Sequence, residues 1–187
     1  MDFIHLSNTR QSCRNFSSKP VSKEDLLTCL EAARLAPSAC NSQPYHIYVC
    51  TGETAAAAAK TTQTAGMNKF TSQAPCLLVI TEENYNATAA IGSRRKDQDY
   101  RSVDIGLAAA QICLCATTLG LSTCMVGWFN EKELSALLNT KSRIRLVIAL
   151  GYAAEEDKLR TKKRKSLDEL VSFVQYPLLI SLKNSCR

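Results

Sequence analysis

From Ile105 to Trp128 the chain carries no charged side chain, and this stretch constrains the fold more than any other. A membrane-spanning helix needs about 20 consecutive apolar residues. Here Gln111, Thr117, Thr118, Ser122, Thr123 and glycines Gly106, Gly120 and Gly127 interrupt the run, so no membrane span is expected. The pattern instead predicts a buried central helix to Leu119, a stop at Gly120 and a strand around Thr123–Val126. A helix apolar on nearly all sides belongs in a core or a subunit interface.

Glu31–Tyr45 is the second organising stretch. Helical sequence ends at Pro37, which cannot continue a helical hydrogen-bond ladder. Ser38-Ala39-Cys40-Asn41-Ser42-Gln43 and Pro44 follow, then a strand-like run from Tyr45 to Thr51. Such crossings usually take a few residues and a glycine. This one offers Ser38, Asn41 and Gln43, which donate and accept hydrogen bonds, chemistry suited to the edge of a flat heterocycle. A polar turn held by two prolines is the plain alternative.

The 187 residues, 45% hydrophobic and 21% charged, fit one globular domain spanning 1–187. Met1-Asp2-Phe3-Ile4-His5 does not read as a signal peptide. Nine cysteines without paired spacing predict free thiols and a cytoplasmic setting. His5 and His46 are the only histidines, and none lies near Cys113 and Cys115, so no metal site is expected.

The net charge of +6 is local: Lys158, Arg160, Lys162, Lys163, Arg164 and Lys165 match the whole excess. Nucleic-acid binding is one use of such a run, but no aromatic residues interleave it as a stacking surface would need. A phosphate subsite is the other. Arg10, Ser12 and Arg14 alternate, so in an extended segment they share one face and suit a phosphate with neighbouring hydroxyls.

Ser22 with Asp25 predicts a capping box opening a helix with Leu26, Leu27, Leu30 and Ala33 on its core face. Glu53–Ala65 reads as an alanine-rich surface helix and Leu77–Ile80 as a buried strand. The mixed charges within Tyr85–Arg101 predict a solvated loop or helix face. Asn130 with Glu133 caps a helix to Leu138, and Ile144–Leu150 is a strand ending at Gly151. A short helix at Leu167–Phe173 and a strand at Val174–Leu182 complete the reading. Irregular mixing of strands and helices predicts an α+β fold. Neither G-x-G-x-x-G nor a P-loop occurs, so any phosphate is held by other means.

Together, RQSCRNF at 10–16, KPVSKEDLLTCLEAARLAPSACNSQPYHIYV at 19–49, TCMVGWFN at 123–130 and KKRKSLDELVSF at 162–173 resemble the FMN-dependent nitroreductase family. The resemblance implies a nitroreductase-like fold, with a central, mostly antiparallel sheet flanked by helices. It also implies an intertwined homodimer with FMN at the subunit interface. Arg10, Ser12 and Arg14, with Gln11 between them, match the segment contacting the FMN phosphate, ribityl chain and pyrimidine edge. Pro37, Ser38, Ala39, Asn41 and Gln43 match the loop that reaches the flavin from the other subunit. Val126, Gly127 and Trp128 match the stretch near flavin N5, and Lys162 and Arg164 the basic pair on the phosphate. Asn68 or Lys69 matches a polar contact on the pyrimidine side. Trp128 departs from the pattern, since many members carry a small residue there.

On this reading the chemistry belongs to FMN, with NADH or NADPH as co-substrate and a nitroaromatic, quinone or related small molecule as acceptor. No side chain need be catalytic, and neither nucleic acid nor membrane is an expected partner. The alternatives are a reductase of activated double bonds and a flavin-binding or storage module without turnover. A fold relic using its basic run on nucleic acid would carry no flavin.

Overall fold

The computed structural model describes residues 2–174, so the strand expected at Val174–Leu182 lies, but for Val174, outside the described residues. Four strands form one antiparallel sheet in the order β1-β2-β4-β3. They are β1 Tyr45–Thr51, β2 Cys76–Glu82, β3 Ser122–Val126 and β4 Ile144–Gly151. β2, central and rich in aliphatic and β-branched side chains, is buried from Cys76 to Thr81. Its side chains alternate between two cores, as the period of a strand requires. Leu77 and Val79 join Val147 and Ala149 on one face. Leu78 and Ile80 join Ile148 and Leu150 on the other. Burying each such side chain stabilises the sheet by about 1.5–3 kcal/mol, and helices cover both faces. The expected α+β fold is the observed one.

One layer consists of α2, Lys23–Arg34, and α5, Arg101–Thr118. In α5, Ile105, Ala108, Ala109, Ile112 and Ala116 are buried at helical spacing, whereas Val103 and Leu107 are 50% and 40% exposed. The helix is therefore two-faced. It ends as expected: Gly120 adopts φ 75°, and Leu121 N–H donates to the Ala116 carbonyl at 2.8 Å, closing a Schellman turn. Ser22 caps α2 by accepting from Asp25 N–H at 3.0 Å, but no capping box forms. The Asp25 carboxylate instead accepts from Tyr152 Oη at 3.4 Å. Leu27 is 54% exposed, because 100° per residue carries it off the stripe holding Cys29 and Ala33.

The opposite layer corrects another expectation. α3, Gly52–Thr62, is no surface helix: Ala55, Ala58, Ala59, Thr61 and Thr62 are buried. Alanine lets a helix approach the sheet closely, and the threonine hydroxyls donate to the Ala58 and Ala59 carbonyls. α6, Glu131–Leu138, starts where Asn130 accepts from Glu133 N–H at 3.3 Å. α1, Phe3–Thr9, precedes the extended N-terminal segment. The segment Tyr85–Arg101 contains α4, Ala87–Lys96. α7 covers only Leu167–Leu170, because Val171 is already extended. Among the described residues no helix is long and apolar enough to cross a membrane.

A polar cluster joins α5 to the sheet. Arg101 and Arg145 both pair with Glu82 and Asp99, at 2.9 Å for Arg101–Asp99 and 3.0 Å for Arg145–Asp99. Tyr85 Oη donates to Asp99 at 2.8 Å. Hydrogen bonding from Arg101, above all, holds the Asp99 carboxyl down at about 2. A depressed folded-state pKa contributes stability above the unfolded value near 4 and loses it as pH falls towards 2. The melting-temperature gap between wild type and Asp99→Asn should therefore be open at neutral pH and narrow from about pH 4 to about 2. A constant gap would show that the ion pairs contribute no pH-dependent stability.

Candidate functional site

α1 ends at Thr9, and the chain then runs extended beside β3. Ser12 bridges Thr123 in parallel, Cys13 N–H donates to the Thr123 carbonyl at 2.9 Å, and Phe16 bridges Ala153. Cys13 and Phe16 are buried, while Arg10, Ser12 and Arg14 line a cleft of about 310 Å³. Gln11, Arg160, Thr161, Lys162, Lys163 and Arg164 complete its lining. The expected meeting of the N-terminal segment with the basic run is thus observed.

Hydrogen bonds join the two segments. Gln11 Nε2 donates to Asp157 Oδ2 at 3.3 Å and to the Lys158 carbonyl at 3.2 Å, and its Oε1 accepts from Arg160 N–H at 3.0 Å. Arg160 donates to Asp157 at 2.7 Å and to the Ser12 carbonyl at 2.5 Å. Lys162 Nζ donates to the Asn8 and Arg10 carbonyls at 2.7 and 2.6 Å. Desolvation first, then Arg10, Arg164 and Arg160, push the Lys162 pKa down. Among the described residues Arg10, Arg14, Lys163 and Arg164 form no ion pair. Cations crowded this way around one carboxylate suit a multiply charged anion. Nothing in the sequence marks Asp157 for the site, and Arg160 is marked only as one member of the basic run.

On the same edge, β3 runs on into Gly127 and Trp128. Gly127 stands four positions beyond Thr123, about 13 Å of extended chain. No heavy atom approaches within 4 Å of where a Gly127 Cβ would stand. Val126 is buried, and Trp128 is 59% exposed. Asn68, at φ 50°, donates to the Thr62 carbonyl at 3.1 Å and to the Trp128 carbonyl at 3.2 Å. Its amide thereby fixes the backbone at Trp128, while the neighbouring Lys69 is exposed. An anion cleft and an open backbone face thus lie along the same edge of the sheet.

The loop Pro37–Gln43 lies elsewhere. It enters β1, the opposite edge of the sheet. Cys40, Asn41 and Gln43 hold φ of 50°, 51° and 47°, a conformation unfavourable for residues with a Cβ. Ser38 Oγ accepts from Gln43 N–H at 3.0 Å, and Gln43 Nε2 donates to the Asn41 carbonyl and Oδ1 at 3.1 and 3.2 Å. Three strand spacings of about 4.8 Å separate β1 from β3, with Ser12 a further spacing out. One chain therefore does not bring the loop to its own basic cleft.

The model of the nitroreductase family matches residues 8–152. An oxygen-insensitive NADPH nitroreductase of Helicobacter acinonychis is 25% identical, covering 86% of this chain and 92% of the relative. A nitroreductase family protein of Streptococcus pneumoniae has the same fold, with a TM-score of 0.78 and 23% identity over 92% of this chain and 100% of that one. So does a structure described as an FMN-dependent nitroreductase of Clostridium difficile, at TM-score 0.74 and 24% identity over 93% and 100% of the two chains.

Proposed function

Since the chain belongs to the nitroreductase family, we propose that it is a cytoplasmic FMN oxidoreductase drawing hydride from NADH or NADPH. Its acceptors are nitroaromatics, quinones or related small molecules, reduced in a ping-pong cycle at one open site. The observation that carries this reading is the cleft of Arg10, Arg14, Lys163 and Arg164, cations without ion pairs among the described residues, beside the strand leading to Gly127.

FMN would supply the redox chemistry; the protein supplies position and field. Arg10, Arg14 and Arg164 would hold the phosphate, with Lys162 and Gln11 fixing the segment that carries them. The Gly127 and Trp128 backbone would back the ring, held there by Asn68. Lys69 or Arg14 would favour negative charge at the pyrimidine end. The exposed Trp128 indole narrows one side of the site and offers a stacking surface to aromatic acceptors. Asn41 and Gln43 would come from the second chain of a homodimer, a reading that their place on the opposite sheet edge supports. The half-exposed Val103 and Leu107 of α5 suit burial against that second chain.

Steady-state turnover tests the proposal. NADH or NADPH oxidation should be slow alone and rise at least tenfold with a nitroaromatic or quinone. Double-reciprocal plots should be parallel. Bound flavin with no acceptor-dependent turnover would leave a storage module, and turnover confined to activated alkenes would reassign the acceptor.

A further inference from the structure

Three of the four residues Cys40–Gln43 sit in the left-handed region without glycine, where a side chain strains the backbone. Such a run persists only where its surroundings hold it, and two residues far away in sequence do so. Asp104, in the first turn of α5, is 2% exposed; its Oδ1 accepts from Ala39 N–H at 3.1 Å. Asn86, just before α4, uses three groups at once. Its Oδ1 caps the helix by accepting from Ala89 N–H at 2.9 Å. Its Nδ2 donates to the Cys40 carbonyl at 2.9 Å, and its backbone N–H donates to Ser42 Oγ at 2.8 Å.

We infer that Asp104 and Asn86 are positioning residues that hold the loop Ser38–Gln43 in its left-handed form and so present Asn41 and Gln43 to the partner chain's site. The consequence for function rests on the FMN reading above; the loop geometry does not. A buried carboxylate needs a reason to be there, since desolvation opposes its charge. Burial raises the Asp104 pKa, the Ala39 N–H opposes that rise, and nearby Asp99 adds to it. Tyr45, at the foot of the loop, is the other titratable group that feels this charge. Asp104 Oδ2 accepts no hydrogen bond among the described residues. Among the described residues the carboxylate's only hydrogen bond is thus the one to the loop. α4 and α5 meet the loop from two directions, so it cannot relax towards ordinary φ values without breaking both contacts.

Amide hydrogen exchange over 38–44 in the purified full-length protein, with FMN affinity measured in parallel, tests this. Asp104→Ala should speed exchange there at least tenfold and weaken FMN by a similar factor. Asp104→Asn, which keeps an acceptor for Ala39, should restore both to within about threefold. Asn86→Asp keeps the α4 cap on an exposed residue and replaces the donor to Cys40 with a carboxylate oxygen that repels that carbonyl. It should loosen the same segment while circular dichroism and melting temperature stay near wild type, which guards against an Asp104→Ala chain that fails to fold. Unchanged exchange in Asn86→Asp, or an Asp104→Asn protein as loose as Asp104→Ala, would overturn the inference. If no variant, wild type included, binds FMN, the functional reading fails while the exchange pattern still decides the loop.

Discussion

A chain carrying both Arg10→Ala and Arg164→Ala should fold normally and lose about two to four orders of magnitude in FMN affinity. Each charge-assisted hydrogen bond to a phosphate is worth about 1.5–3 kcal/mol, and about 1.4 kcal/mol is tenfold in affinity. Neither arginine forms an ion pair among the described residues, so removing both strands no buried carboxylate. Arg160 would be a poor choice for this test. Its guanidinium is already bonded to Asp157 and the Ser12 carbonyl, so its loss would loosen the cleft as well as discharge it. Calorimetric titration with FMN and a melting curve separate the two effects. Affinity within threefold of wild type would reduce the basic run to a solvated face and reopen nucleic acid as its partner, measurable by salt-dependent binding.

Mixing that double variant with an Asn41→Gly chain should restore flavin binding that neither retains alone. Glycine is the right replacement because Asn41 sits at φ 51°, where alanine would add strain to the loss of the side chain. The loop and the cleft lie at opposite edges of a sheet covered on both faces. In a symmetric dimer a mixed pair therefore has one doubly damaged site and one intact site. Random pairing after joint unfolding and refolding makes about a quarter of all sites intact. If each chain built its site alone, every site would keep a lesion and no binding would return. A flavin-loaded monomer in sedimentation would end the idea of a shared site.

Local signals were legible where they are local in physics. The Ile144–Gly151 strand is an aliphatic and β-branched run, and the end of α5 is a glycine at a positive φ that strains other residues. Charge type and alternation mark residues 10–14 and the basic run separately as phosphate-binding candidates; only the family resemblance implies that they work together, and in the fold they line one cleft. Other features were not readable from spacing. The alanines of α3 look like a surface helix, because small size serves equally for solvent exposure and for close packing; only the sheet behind them decides. Asp104 lies just before the charge-free stretch, and Asn86 lies in the mixed segment Tyr85–Arg101, with nothing nearby to mark either. Their partners are 65 and 46 positions away in the loop, and the left-handed backbone they hold carries no glycine to announce it.

The central claim is that the basic cleft recognises a phosphate and thereby selects FMN. Titrating the flavin-free protein with FMN, riboflavin and FAD tests it most directly, because riboflavin has the same ring without phosphate and FAD lacks a terminal phosphomonoester. The account predicts FMN bound at least a hundredfold more tightly than either, with the preference over riboflavin collapsing in the Arg10→Ala and Arg164→Ala double variant. Riboflavin binding as tight as FMN, or a preference that survives loss of both arginines, would contradict it.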